Sequence, residues 1–181
     1  MHISTILTIS LATTAFSRAA DKVCTSTSSA TLTWRITNFD YHSLETFTTP
    51  AHQNDYGSAN FTLENSALSY RTTCAGVSAQ APDYFYGDKV YECETPADEK
   101  GDMSRFAFDK KSGVLRINQT WVCERDGSRF DGLGEVRLDL KCREDRWVNP
   151  EWKMGEDYSR RSVSCGRVDV PVNITYLQGT A

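Results

Sequence analysis

Arg105 to Cys123 reads RFAFDKKSGVLRINQTWVC, and no other stretch of the 181 residues carries so clear a physical signal. Phe106 and Phe108 alternate with small or polar neighbours, and Asp109-Lys110-Lys111-Ser112-Gly113 supplies a turn. Asp favours the first position of such a turn, and Gly takes a positive φ without steric cost. Beyond it, Leu115, Ile117, Trp121 and Cys123 recur at alternate positions, with Arg116, Asn118, Thr120 and Val122 between them. The pattern predicts a β-hairpin with one buried and one wet face.

The stretch contains its own check on which face is wet. Asn118-Gln119-Thr120 is an N-glycosylation sequon, and a glycan needs an asparagine that points into solvent. Asn118 falls on the polar face. Asn60 lies out of phase with Phe61 and Leu63, and Asn173 out of phase with Val172, Ile174 and Tyr176. Asn60, Asn118 and Asn173 are therefore candidate glycosylation sites.

Outward from the hairpin, the length suits one domain with a core of its own. A hydrophobic fraction of 39% excludes a disordered chain, and a formal charge of -4 gives no electrostatic reason for nucleic acid or an anionic membrane as partner. Residues 1 to 19 read as an export signal: a short apolar run from Ile3 to Phe16, then small residues suited to cleavage near Ala19. Six cysteines after that point and three sequons agree with it. The expected protein, residues 20 to 181, is secreted and extracellular.

Along that domain, Leu32, Trp34 and Ile36 mark a strand, and Asp40 to Ser58 reads as a loop. Strands are expected at Ala59 to Leu63, Ala67 to Cys74 and Lys89 to Cys93. After the hairpin, Glu124 to Gly134 looks like a turn-rich connection, Val136 to Cys142 a strand, and Arg143 to Arg161 a long polar excursion. Val168 to Tyr176 closes the chain as a strand in which Pro171 suggests an edge or bulge. No amphipathic helical period of useful length stands out. About eight or nine short strands at this spacing describe an all-β fold, an antiparallel barrel or sandwich stapled by disulfides.

Six cysteines allow about 15 pairings. Proximity favours Cys74 with Cys93 and Cys142 with Cys165, each closing about 20 to 25 residues for ~3 kcal/mol of chain entropy. Cys24 and Cys123 are left. They pair with each other, or Cys24 joins two chains.

The ordered pieces together resemble the Alternaria major-allergen-like proteins, small secreted fungal β-barrels. Cys24 stands ahead of Trp34-Arg35-Ile36-Thr37-Asn38-Phe39, and Val90-Tyr91-Glu92-Cys93 looks like the family's aromatic-x-Cys strand end. Phe106-Ala107-Phe108-Asp109-Lys110-Lys111-Ser112-Gly113-Val114-Leu115 with Gln119 downstream is the most specific segment. The resemblance implies a barrel without a catalytic centre, bridges matching Cys74 to Cys93 and Cys142 to Cys165, and a cysteine at the position of Cys24 that can link two subunits. Cys123 departs from that pattern and offers Cys24 a partner in its own chain. An intrachain bridge in a monomer is the favoured reading, a Cys24-linked homodimer the alternative.

Chemistry is sparse. A secreted ribonuclease could draft His42, Glu92 and Arg105, but no histidine follows His52. There is no Gly-x-Ser-x-Gly elbow. Asp98, Glu99 and Asp102 could hold calcium, although a solvated acidic loop is the simpler account. Arg160-Arg161 could be a processing site, with charged surface the simpler account. No cofactor or metal is expected. Aromatic residues on loops are the better candidates for binding: Tyr84, Phe85 and Tyr86 in one, Trp147 and Trp152 in another. The alternative is that they cover the barrel ends. The resemblance implies a non-enzymatic allergen-like effector that binds a host extracellular protein, plant defence proteins of the thaumatin-like kind among the family's partners. A carrier of a small aromatic ligand is the alternative from a different class, and the ribonuclease the third.

Overall fold

In the computed structural model, the residues described are 15–97, 99 and 101–180, with side chains from Val23 onward. The hairpin read from the sequence is its centre. Strands β5 (Met103–Asp109) and β6 (Val114–Cys123) pair antiparallel, Phe108 opposite Leu115 and Phe106 opposite Ile117. Asp109 Oδ1 accepts from the amide of Lys111 at 2.9 Å, and Gly113 has φ +72°. Phe106, Phe108, Leu115, Ile117, Trp121 and Cys123 are all buried. Two-residue periodicity worked here because this hairpin has one face in the core and one in water.

Before it come β1 (Trp34–Thr49), β2 (His52–Asn65), β3 (Arg71–Ser78) and β4 (Tyr91–Glu94); after it come β7 (Ser128–Arg137), β8 (Cys142–Val148), β9 (Ser159–Cys165) and β10 (Val168–Thr180). Strands β1 to β7 pair antiparallel in chain order, and β10 pairs with both β7 and β1, closing a barrel of eight strands. Closure leaves no edge within the barrel. Its interior is filled with aromatic rings. Phe39 contacts Phe61 and Phe108 at centroid distances of 5.9 and 5.1 Å, Phe61 contacts Phe106 at 5.0 Å, and Trp121 stacks on Phe130 at 5.5 Å. Trp34 lies across β7, where a Cβ at Gly132 would come within 2.7 Å of its ring. Buried rings of this kind carry the largest hydrophobic contribution in such a core.

The other two strands form a wing. The first half of β1 pairs with β10 through Trp34 to Phe39, and the second half, His42 to Phe47, pairs with β9. Asn38 sits at the change of partner, with φ 55° and its amide held by Asp169 Oδ1 at 2.7 Å. This is a bulge, the device that redirects a strand out of one sheet and along another. Strand β8 then pairs with β9 and ends the sheet.

Several sequence expectations change. Asp40 to Ser58 is not a loop but the long arm of the β1–β2 hairpin, with His42 opposite Ser58 and Phe47 opposite Gln53. It extends toward the wing, where polar residues are tolerated and the apolar rhythm fades. Glu124 to Gly134 is mostly β7, whose interior positions 132 and 134 are glycine because Trp34 occupies that space. The strand expected from Val136 to Cys142 ends at Arg137; Leu138 leaves it to donate its amide to Gly113 O at 2.8 Å. Arg143 to Arg161 is no excursion: it holds β8 and the start of β9. The barrel itself has eight strands, within the expected count, and β8 and β9 bring the described strands to ten.

A helix is also present, α1 (Ala15–Ala30), although no helical period of useful length stands out in the sequence. Of its residues from Val23 onward, Cys24 and Ser28 are buried, four apart and so on one face. Cys24 is bridged to Cys123, and Ser28 Oγ accepts from Trp121 Nε1 at 2.9 Å. Among the side chains described from Val23 onward, that face carries no large hydrophobe, and so it shows no helical apolar period. Of the expected export signal, residues 1–14 lie outside the described residues and the last five begin α1. No described helix is long and apolar enough to cross a membrane.

Candidate functional site

Strand β8 reads Cys-Arg-Glu-Asp-Arg-Trp-Val, and every one of its residues is exposed. A strand without a buried face owes its place to other forces. Cys142 faces Cys165 across the ladder and is bridged to it, and all seven residues of β8 are paired to β9. Arg161 on β9 adds an ionic clamp: Nη1 donates to Glu45 Oε1 of β1 at 2.8 Å and Nη2 to Glu144 Oε2 of β8 at 2.9 Å. Hydrogen bonds from Arg161, then from Arg146, hold the Glu144 carboxyl down at about 2, and the same bond to Glu144 raises the Arg161 guanidinium. Glu45 also accepts from Tyr84 Oη at 3.2 Å, so one carboxylate ties barrel to wing. Beyond the alternating charges of β8, nothing local announces this network, because Glu45 and Arg161 lie 116 residues apart.

The tip of the wing is built rather than loose. Trp152 Nε1 donates to Glu156 O at 2.8 Å and its ring meets Tyr158 edge-on at 5.9 Å. The amide of Tyr158 donates to Phe47 O at 2.7 Å. Trp147 is 47% exposed, Val148 58% and Met154 82%, the largest such group on one element and its loop. The structure therefore separates the two tryptophans: Trp152 braces the loop and Trp147 faces solvent.

The aromatic run in the other loop divides as well. Tyr84 and Phe85 are 1% and 2% exposed and belong to the core, so they are not contact residues; only Tyr86, at 42%, faces out. Tyr84 holds φ 64° against Gly57, and burial pushes its phenol well above the usual range. They are internal because the loop folds back over the open end of the barrel, with Phe85 against Tyr41 and Phe108 at 6.1 and 5.6 Å.

The ribonuclease set does not assemble. Arg105 and Glu92 pair with each other at 3.1 Å on β5 and β4, while His42 lies on β1, bonded to Asp40 at 2.9 Å. Two strands separate β4 from β1, a gap of about 14 Å at ordinary strand spacing. Of the acidic loop, Asp98 lies outside the described residues. Asp102 is engaged elsewhere: Tyr70 Oη donates to its carboxylate, and so does the amide of Val122 at 2.8 Å. Burial raises the Asp102 pKa. Arg160 and Arg161 are in β9, between β1 and β8, and not on a loop open to a processing enzyme. No three described His, Cys, Asp or Glu residues gather as a metal site.

The bridges present are Cys24–Cys123, Cys74–Cys93 and Cys142–Cys165, and no described cysteine is free. Asn118 and Asn173 are exposed on the outer face of β6 and β10; Asn60 is half-buried on β2. Residues 36–165, running from β1 to the last residue of β9, match the family of Alternaria alternata allergen 1. The chain belongs to that family. The match takes in the barrel's first seven strands and the whole wing, and leaves out α1 and β10. No curated protein and no solved structure matches the chain. Membership suggests an allergen-like protein without catalytic activity, and three bridges are compatible with secretion.

Proposed function

We propose that this is a secreted, non-catalytic fungal protein that binds a host extracellular protein, of the plant defence kind, through the wing. It leaves the cell after residues 1 to 19 are removed and works as a monomer, Cys24 being used within the chain. The observation that carries the reading is Trp147: a large aromatic, half exposed, on an edge strand fixed by a disulfide and an arginine clamp. Interface hot spots are enriched in tryptophan and arginine, and a rigid anchor loses little entropy on binding. The free edge of β8 also offers backbone groups to an incoming chain, the basis of strand addition.

The carrier alternative finds little support, since aromatic side chains fill the barrel that would hold the ligand. Calorimetric titration against a thaumatin-like plant protein tests the reading. Trp147→Ala should weaken binding by about 2 kcal/mol, roughly thirtyfold. Tyr86→Ala, an exposed aromatic outside β8 and its loop, should leave it unchanged; equal losses from both variants would remove the wing as the contact surface.

A further inference from the structure

On the outer face of the barrel, away from the wing, a hollow of about 310 Å³ opens over β5, β6 and β7, flanked by Val90 just ahead of β4. Val90 and Leu133, 59% and 42% exposed, form opposite walls, and Ala107 contributes the one small side chain that makes the depression. Arg105 and Arg116 stand on its rim, each ion-paired, to Glu92 at 3.1 Å and to Glu135 at 3.0 Å. Two exposed aliphatic walls around a hollow call for an occupant.

The wall also holds Asn118, the sequon asparagine, which is directly opposite Arg105 on β5 and Leu133 on β7. We propose that Asn118 carries an N-linked glycan whose first hexosamine lies back in this hollow, its apolar ring face against Val90, Ala107 and Leu133. A sugar of that kind suits the site: C–H groups on one face for the aliphatic walls, and hydroxyl and acetamido oxygens at the edge for the Arg105 and Arg116 guanidinium donors. Because it is tethered to the wall, it occupies the hollow without the cost of bringing in a free ligand. The second sequon reinforces the assignment, since Asn173 is opposite Glu135 on the next strand and places another glycan on the same face. This face is thereby sugar-covered, and the wing is left for protein contact.

In the transfer step Asn118 Nδ2 bonds to the anomeric carbon of a lipid-diphosphate-linked oligosaccharide. The anomeric C–O bond breaks, the diphosphate leaves with that electron pair, and one amide proton passes to solvent. Thr120 is 4% exposed and donates to Asp131 Oδ1 at 2.5 Å, in a strand paired on both sides. The sequon is thus presentable only before β6 is built in, and addition precedes folding.

The inference rests on the export part of the proposed function, and the experiment separates the two. The full chain is expressed in a secreting eukaryotic host, once behind its own N-terminus and once behind an added leader, and mapped by peptide mass spectrometry. Hydroxyl-radical footprinting then follows the folded protein before and after enzymatic glycan release, and in Asn118→Gln. Expected is a hexosamine-bearing peptide at Asn118, with labelling of Val90 and Leu133 rising severalfold on release and that of Val148 unchanged. Occupancy only behind the added leader supports the hollow while sinking native export. A secreted protein bare at Asn118, or labelling of Val90 and Leu133 that ignores the glycan, overturns the proposal.

Discussion

Trp121 and Trp147 lie in the same chain and do opposite things. Trp121 is 0% exposed, stacks on Phe130, meets Trp34 edge-on at 6.1 Å and hands its indole N–H to Ser28. Trp147 is on a strand whose two faces are wet, and the strand stays because Cys142, Arg161 and the β9 ladder hold it. The barrel is thus stabilised by what it hides from water, and the wing by covalent and ionic ties. The difference teaches where this protein can afford to expose an aromatic surface: on the element whose place does not depend on burying it.

The comparison breaks first at the core. Trp121→Ala should cost about 3–5 kcal/mol in guanidinium denaturation, the ordinary loss for a buried tryptophan. A loss no larger than that of a surface variant would mean the barrel is not held by its rings. Next is the wing's staple. Replacing Cys142 and Cys165 together by Ser removes a link across 23 positions, worth ~3 kcal/mol of loop entropy. Hydrogen exchange should show protection lost in β8 and retained in β5 and β6; uniform loss would make the wing part of the barrel's cooperative unit. Between the two in kind is Gly113→Ala, where φ is +72° and a Cβ would meet Leu138 O at 2.6 Å. About 1–3 kcal/mol is expected there, read as a lowered denaturation midpoint.

Acid sharpens the contrast through opposite signs. Glu144 has a folded pKa of about 2 against an ordinary 4.5, so its contribution is complete above pH 4.5 and fades as pH falls toward 2. Asp102, at the barrel end, has a pKa raised by burial; its protonated form is the one folding favours, so its contribution grows as pH falls and is lost as pH rises through the folded value. Amide exchange followed from pH 7 to about 2 should show the wing loosening in the acid range while the Tyr70–Asp102 contact does not weaken in step. The smallest effect is Trp147→Ala on stability, within about 0.5 kcal/mol by denaturation. A larger cost would place Trp147 among the structural residues and weaken its role as a binding anchor.

What could be read without coordinates was decided by how one-sided each strand is. The Phe106 to Trp121 hairpin shows its buried face as alternation because only one side meets the core. The turn at Asp109 to Gly113 was equally legible, since its conformation needs those residue types locally. Of the candidate binding residues, the aromatic runs were visible but their exposure was not. Tyr84 and Trp147 look alike in a sequence, and whether either faces water depends on the strand or loop packed beside it.

The amino-acid sequence by itself determined the all-β class, the central hairpin with its buried phenylalanines and wet Asn118, and the family, because these follow from local periodicity and ordered short stretches. Only the tertiary structure decided that β1 changes partner at Asn38, that Arg161 reaches Glu45 across 116 positions, and that β7 presents glycine where Trp34 lies. Each of these depends on which distant strand lies alongside. Strand pairing is a non-local choice, made by the whole barrel closing at once, and leaves no periodic trace in the segments that comply with it.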